Sequence, residues 1–469
     1  MKKYRFKFVA LLVAVALMLP NFTGAGALED DYADNEIANI TQVLEEQVPA
    51  MDAYEAIISS WAGEHEGLRY PNSFGGFYID DSNRLVIRLL DIEDTALQES
   101  LLAIVNDANI VKFEKATISL NELIDIQYSV EEFYSELNIL GTGLDIINEQ
   151  VVITAEAVDG GILYRSHPHI RVEFGDCNFS PNAAPICNTG NLVMSSSSAG
   201  INTSGAVYGT LGCFGSYYFD GGRKPCFVTA GHVIYDFYYY KKPMYVVVKD
   251  DKGKETSRVS VISGYKDYCN ESECVAVSGS RLSQSTVQSG TSSGDYAFVA
   301  YDKNKLSADS DIQVGNAVAT VKGYFGQAFY NPASGEYDID VKDYGMASFP
   351  QNTTVMKGEG VSGFSTGRVY STNCTSAGAY TSSSGSNYNI EHTIKVYHTF
   401  GGQNDLFSNP GDSGGPVYYQ SSSGHVLTGF VTGTETIKSN GTSRYYGHIT
   451  PITILLADGF IPYPWCETY

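Results

Sequence analysis

The chain has 469 residues, 43% of them hydrophobic, and a formal net charge of −23. That length gives room for two or three domains with cores of their own, and the charge excludes nucleic acid as a partner, because a phosphate backbone needs a basic surface. The charge is also lopsided: residues 28–176 hold 30 acidic and 7 basic residues, whereas residues 177–469 hold 23 and 19, which implies two segments with different tasks.

Lys2, Lys3, Arg5 and Lys7 precede an apolar run from Phe8 to Leu19 and then Ala25-Gly26-Ala27. This is the layout of a secretory signal over residues 1–27, cut after Ala27. The apolar run is too short to span a bilayer comfortably and no later segment could. The expected product is secreted and extracellular, with no membrane anchor.

Residues 28–70 are acidic and partly helical in pattern. Beyond them Phe77-Tyr78-Ile79, the turn-like Asp80-Asp81-Ser82-Asn83 and Leu85-Val86-Ile87-Arg88-Leu89 predict a hairpin. Leu97, Leu101, Ile104 and Val105 make one apolar helical face behind the cap candidates Asp94 and Thr95. A strand is predicted at Ile110 to Phe113, then two helices opened by the capping boxes Ser119-x-x-Glu122 and Ser129-x-x-Glu132. Val151-Val152-Ile153-Thr154 closes the region as a strand. The segment from Asp159-Gly160-Gly161 to about Phe174 reads as an exposed, cuttable linker, so an acidic α+β domain is expected over residues 28–170.

The texture changes after residue 176. All eight cysteines, Cys177, Cys187, Cys213, Cys226, Cys269, Cys274, Cys374 and Cys466, lie in this part. An even number in an exported segment reads as disulfides, most simply 177/187, 213/226, 269/274 and 374/466. Zinc competes poorly, since there is no paired C-x-x-C and the histidines are scattered; no metal and no cofactor is expected. Short β-branched or aromatic runs, among them Phe227-Val228-Thr229, Met244-Tyr245-Val246-Val247-Val248 and His425 to Val431, alternate with Gly, Ser, Asn and Asp. Residues 171–469 therefore read as an all-β barrel or sandwich domain.

Three motifs in this domain carry chemistry. In Asn409-Pro410-Gly411-Asp412-Ser413-Gly414-Gly415-Pro416-Val417 the candidate nucleophile Ser413 is flanked by glycines that let the backbone turn tightly, so the amides of Gly411 and Ser413 could converge on a developing oxyanion. A serine hydroxyl needs a base and an orienting acid. Thr229-Ala230-Gly231-His232 follows a strand and can aim an imidazole into a cleft, while Ser293-Gly294-Asp295-Tyr296-Ala297 opens a strand with an acid. Gly411 to Gly415 also fits the G-x-S-x-G elbow of lipases and esterases. That elbow runs from the serine into a helix, which Gly414-Gly415-Pro416 would damage, and it needs its histidine after the serine.

Together these motifs resemble the chymotrypsin-like serine proteases, and among them the secreted bacterial branch of alpha-lytic protease and the streptogrisins, as do Asp295-Tyr296-Ala297 and Gly363-Phe364-Ser365-Thr366-Gly367. The segment from about Gly75 to Val158 is similar, more weakly, to their pro-regions. The resemblance implies a mainly β fold of two six-stranded antiparallel β-barrels, with His232 and Asp295 on the first and Ser413 on the second, preceded by a smaller α+β pro-domain. By the same resemblance Lys357 falls near an internal arginine of that branch and is expected to support Asp412, a swap that gives up bidentate pairing. Val233 stands where the family usually has a cysteine, so the disulfide beside the base must be rerouted. Phe407 falls near the base of the primary pocket, and Thr432, Gly433 and Thr434 offer main-chain bonds to an extended peptide. A bulky Phe407 and a branched Thr434 imply a shallow pocket for small or medium apolar side chains, although His448 keeps glutamate open.

The leading expectation is a secreted serine endopeptidase, monomeric, made as a precursor whose own N-terminal domain inhibits it or helps it fold, and acting on protein or peptide substrates. A catalytically silent, protease-like extracellular binding or adhesion protein is the alternative for the whole chain, and an independent binding domain that stays attached is the alternative for the acidic segment.

Overall fold

In the computed structural model the described residues are 30–61, 70–134, 136–155, 167–181, 191–194, 207–210, 212–219, 222–231, 244–249, 255–262, 294–300, 349–357, 365–381, 387–399, 406–409, 411–439 and 441–462, with a few short strands between 306 and 341. The chain divides into two compact units, Met1–Val43 and Leu44–Tyr469, and all packing below belongs to the second. The expected signal segment and His232 lie outside the described residues.

The N-terminal part opens with helix α1 (Asp30–Trp61). From Leu44 onward its inward side chains are Leu44, Ala50, Met51, Tyr54, Ile57 and Ile58, all buried. Strands β1 (Phe74–Ile79) and β2 (Leu85–Leu89) form the expected hairpin, and β3 (Val111–Lys115) joins β2 in parallel. Helix α2 (Thr95–Leu102) connects them, capped by the Asp94 carboxylate, which accepts from the amide of Leu97. Ser119 and Glu122 form a full capping box at the start of helix α3 (Leu120–Glu131). The second box does not open a helix: α3 runs straight through Ser129, whose hydroxyl donates to the carbonyl of Asp125 one turn earlier. An uninterrupted amphipathic run outweighs a capping signature inside it.

Strands β4 (Ile139–Asp145), β5 (Gln150–Ala155) and β6 (Ile170–Phe174) follow, β4–β5 antiparallel and β5–β6 parallel. The expected linker is thus ordered from Ile170: β6 extends the sheet of the N-terminal domain, and Arg171 bonds the buried Asp145 at 2.8 Å. A domain boundary at residue 170 falls at the start of this strand, and β7 (Asp176–Pro181) comes directly after it.

The rest is mostly β. Strands β8 (Asn191–Met194), β9 (Val207–Thr210), β12 (Met244–Lys249) and β13 (Glu255–Ile262) make one four-stranded antiparallel sheet. Strands β10 (Phe214–Phe219), β11 (Gly222–Thr229), β14 (Ala297–Ala300) and the C-terminal Ile461–Pro462 make another. A six-stranded barrel follows, formed by β15 (Thr354–Lys357), β16 (Ser365–Thr381), β17 (Asn387–His398), β18 (Pro416–Ser421), β19 (Gly424–Ser439) and β20 (Thr442–Pro451). Its strands are ordered β15-β18-β19-β20-β17-β16, and β15 pairs with β16 to close the ring. Closure pairs both edges of each strand within the ring, and the parts of β16 and β19 that run beyond it pair with β4 and β7. Helix α4 (Ile452–Ala457) follows β20.

The N-terminal domain is joined to this barrel by strand pairing. β4 lies on β16, with Leu144 opposite Thr372 and Thr142 opposite Thr375, so the barrel sheet continues into β4, β5 and β6. Gln127 of α3 donates to the carbonyl of Asn373 and accepts from its side chain. Helix α1 docks as well: Gln47 accepts from the amide of Thr354 at 2.7 Å, and Tyr419 donates to Glu55 at 2.9 Å.

Two expected disulfides are absent. Register sets Cys213 beside Val228 and Cys226 opposite Gly215, a diagonal relation, and both are buried thiols. Diagonal neighbours in an antiparallel pair stand about 7–8 Å apart, beyond ready bridging distance. Cys374 is a buried free thiol whose Sγ contacts the carbonyl of Thr372 across 3.6 Å, so it does not pair with Cys466. Burial pushes its thiol up to about 11. Cys187, Cys269, Cys274 and Cys466 lie outside the described residues.

Candidate active site

The backbone around Ser413 is a turn built on glycine. Gly411 and Gly414 have φ of 102° and 89°, the region that glycine enters at no steric cost. The turn is fixed from within by the amide of Asp412 donating to Asn409 and that of Gly415 to Asp412. A Cβ at Gly414 would lie 2.3 Å from both the carbonyl of Thr210 and Oγ1 of Thr229. Only glycine lets the turn approach the strand that carries the histidine motif. After Gly415 the chain enters strand β18, not a helix, which removes the strand-to-helix geometry of an esterase elbow.

Thr210, at the end of β9, links the two motifs. Its amide donates to Ser413, its hydroxyl donates to the carbonyl of Gly411 at 2.7 Å, and its carbonyl accepts from Thr229 at 2.9 Å. Nothing in the sequence marks this residue, because its role depends on contacts across some 200 positions.

The acid is held nearby. β11 pairs with β14 so that Thr229 faces Ala297, which carries Asp295 alongside Gly231. Asp295 is 1% exposed, and its Oδ1 stands 3.0 Å from where a Cβ on Gly231 would be. The acid therefore lies against the residue that precedes His232. Its carbonyl accepts from Thr450 Oγ1 at 3.3 Å, and Thr450 bonds Thr432 at 2.6 Å. Ser413 Oγ donates to the carbonyl of that same Thr432 at 3.1 Å. The segments of Thr229–Gly231, Asp295 and Ser413 thus meet at one place.

Behind Ser413, Lys357 Nζ lies 2.8 Å from Asp412 Oδ2, both side chains fully buried. The same oxygen accepts from the amide of Asn409. Lys357 is the last residue of β15, so a closed barrel strand aims its ammonium at the turn.

Phe407 is buried, with its carbonyl accepting from Ser365. Its ring fills the space that side chains at Gly367 and Gly447 would need. Thr434 bonds Ser408 through its hydroxyl. His448 is fully buried: Nδ1 bonds Thr393 at 2.8 Å and Nε2 is 3.5 Å from Glu435. Burial lowers the imidazole's affinity for a proton despite the carboxylate beside it. Burial also opposes charge on Glu435, but Lys395 at 2.6 Å and His448 outweigh it and hold the carboxyl far below its usual range. Nε2 of His448 therefore already faces a carboxylate, that of Glu435. Neither Lys395 nor Glu435 carried a sequence signal, since isolated charges in β-runs normally face water.

A family model for the Pro-like N-terminal domain matches residues 41–116. Comparison with curated protein sequences finds no match. Among solved structures, the chain is similar to a glutamic-acid-specific serine protease whose histidine triad serves substrate binding, at 17% identity and a TM-score of 0.29 over 59% of this chain and 99% of that one. It is also similar to a chymotrypsin of Cellulomonas bogoriensis (17%, TM-score 0.27, 59% and 97%) and to protease A of Thermobifida fusca (14%, TM-score 0.28, 60% and 98%). Residues 41–116 are thus similar to a Pro-like N-terminal domain.

Proposed function

We propose that the protein is a secreted serine endopeptidase made as a precursor. Ser413 attacks the peptide carbonyl, His232 takes the proton and returns it to the leaving amine, and Asp295 orients His232 and stabilises the imidazolium. The amides of Gly411 and Ser413 bind the oxyanion as the carbonyl oxygen gains charge. The carrying observation is that Gly414, with no side chain, sits against Thr229 while Asp295 abuts Gly231, so the nucleophile and the acid both border the segment leading into His232.

The N-terminal domain is the pro-segment on this reading, supported by the Pro-like match at residues 41–116 and by its pairing through β4 with β16. Phe407 beneath the specificity pocket favours short side chains, and Thr432 to Thr434 supply the edge on which a peptide adds as a strand. The test is a fluorophosphonate probe with casein as substrate. Wild type should be labelled and should digest casein, and Ser413→Ala should do neither. An unlabelled, well-folded wild type would leave the protein as a silent binding module.

A further inference from the structure

We propose that Thr210 is a positioning residue of the oxyanion hole, its hydroxyl and its amide fixing the carbonyls of the two residues whose own amides receive the oxyanion. This deepens the serine endopeptidase reading, on which it rests, by naming a side chain outside the triad on which the rate depends.

Main-chain donors stabilise an oxyanion well only if they need not reorient as the charge develops. The amides given that task belong to Gly411 and Ser413, and the first has no side chain to restrain it. Gly411 sits at φ 102°, and glycine reaches other conformations at little steric cost. Its neighbours must therefore select this one. The peptide unit between Gly411 and Asp412 is held at both ends: its N–H donates to the carbonyl of Asn409 at 3.0 Å, and its carbonyl accepts from Thr210 Oγ1 at 2.7 Å. Two bonds to opposite ends of one plane fix that plane, which is one of the two that decide where the N–H of Gly411 points.

The same residue holds the Ser413 side. The amide of Thr210 donates to the carbonyl of Ser413 at 2.7 Å, so one threonine grips the turn at two points, while Lys357 ties Asp412 between them. Thr210 is itself buried and anchored. It pairs with Asn191 in the sheet, and its carbonyl accepts from Thr229 Oγ1 at 2.9 Å. Thr229 belongs to the segment leading into His232, so the grip is referenced to the strand that carries the base. The γ-methyl of Thr210 lies 3.6 Å from where a Cβ on Gly415 would be. Branching at Cβ leaves few choices of χ1, and seating the methyl there also directs the hydroxyl.

Removing the hydroxyl takes a donor from the carbonyl of the buried Gly411, and the glycine is free to turn toward another. The amide of Gly411 then loses its aim. The loss falls on the transition state, because the substrate carbonyl draws less on these amides than the oxyanion does.

The experiment compares wild type, Thr210→Val, Thr210→Ala and Thr210→Ser, each as the form that accumulates when the full chain is expressed. Fluorophosphonate labelling taken to completion counts working sites, so unfolded molecules drop out of every rate. Kinetics use a peptide anilide copied from a bond that wild type cuts in casein, and inhibition by the matching peptide aldehyde, whose adduct with Ser413 carries an oxyanion. Thr210→Val keeps the shape and drops the donor. It should lose about 100-fold in kcat per labelled site, the weight of a misplacement of about 1 Å, with KM within about twofold of wild type and aldehyde binding weakened by about the same factor as kcat. Thr210→Ala opens room beside the carbonyl and is the variant read if Thr210→Val does not fold; the same loss in kcat alone is expected of it. Thr210→Ser keeps the donor and should come within about fivefold of wild type. A per-site kcat within about threefold of wild type without the hydroxyl, a loss carried by KM, or Thr210→Ser as slow as Thr210→Val overturns the inference and leaves the protease reading standing. A folded wild type that takes no label overturns both.

Discussion

Lys357→Met tests whether the buried ion pair holds the nucleophile turn in shape. Met nearly matches the lysine stem but removes the ammonium 2.8 Å from Asp412. The carboxylate is left at zero exposure with the amide of Asn409 on the same oxygen. Removing one partner of a fully buried pair costs about 3–5 kcal/mol, because the other charge stays desolvated. At about 2 °C per kcal/mol, the figure for larger domains, the melting temperature should fall by roughly 6–10 °C. Calorimetry on a Ser413→Ala background avoids self-digestion. In the active protein, a turn displaced by about 1 Å should slow fluorophosphonate labelling on the order of 100-fold. Lys357→Met with Asp412→Asn should lose less than Lys357→Met alone, since the stranded charge is gone. A melting temperature within about 1 °C of the parent and an unchanged labelling rate would refute the role given to Lys357.

Gly414→Ala puts a Cβ 2.3 Å from Thr210 and Thr229 at a φ of 89°; casein hydrolysis should vanish and the melting temperature drop, and an active variant would show the turn lies elsewhere. His392 is half-buried, bonds Asn373, and is held by burial at about 4 against an ordinary 6.5. The folded state then binds fewer protons than the unfolded one between those values, so stability is full above about 6.5 and is lost as pH falls toward 4. The melting temperature of the Ser413→Ala precursor should decline over that window, and His392→Gln should flatten part of the decline; equal slopes would remove His392 as a cause. Cys374 should resist iodoacetamide in the native precursor at pH 8 and react after denaturation without reductant, given its burial and raised thiol; no gain on denaturation would mean a disulfide after all.

What could be read from the sequence was what short stretches determine. The hairpin at Phe77 to Leu89, the Asp94 and Ser119 caps and the Gly-rich turn at Ser413 depend on neighbours within a few residues, and all are present. What escaped depends on distant partners. Ile170–Phe174 reads as linker because half-buried strands beside a long-range partner show weak alternation, yet β5 supplies a parallel edge for it. Spacing suggested a Cys213–Cys226 bridge, but register decides which residues face each other. The buried Lys395–Glu435 pair was unreadable because each charge is tolerated only through the other.

The N-terminal domain is bound to the barrel through several separate contacts. β4 bonds to β16, Gln127 clasps Asn373, Arg171 reaches the hydroxyl of Tyr370, and α1 bonds Thr354 and Tyr419. β7 adds a further tie, since it is paired with β19 from Gly433 to Lys438. If the N-terminal domain is a pro-segment, as proposed, release of the barrel needs all of these contacts to be given up, the strand pairings of β4 with β16 and of β7 with β19 among them.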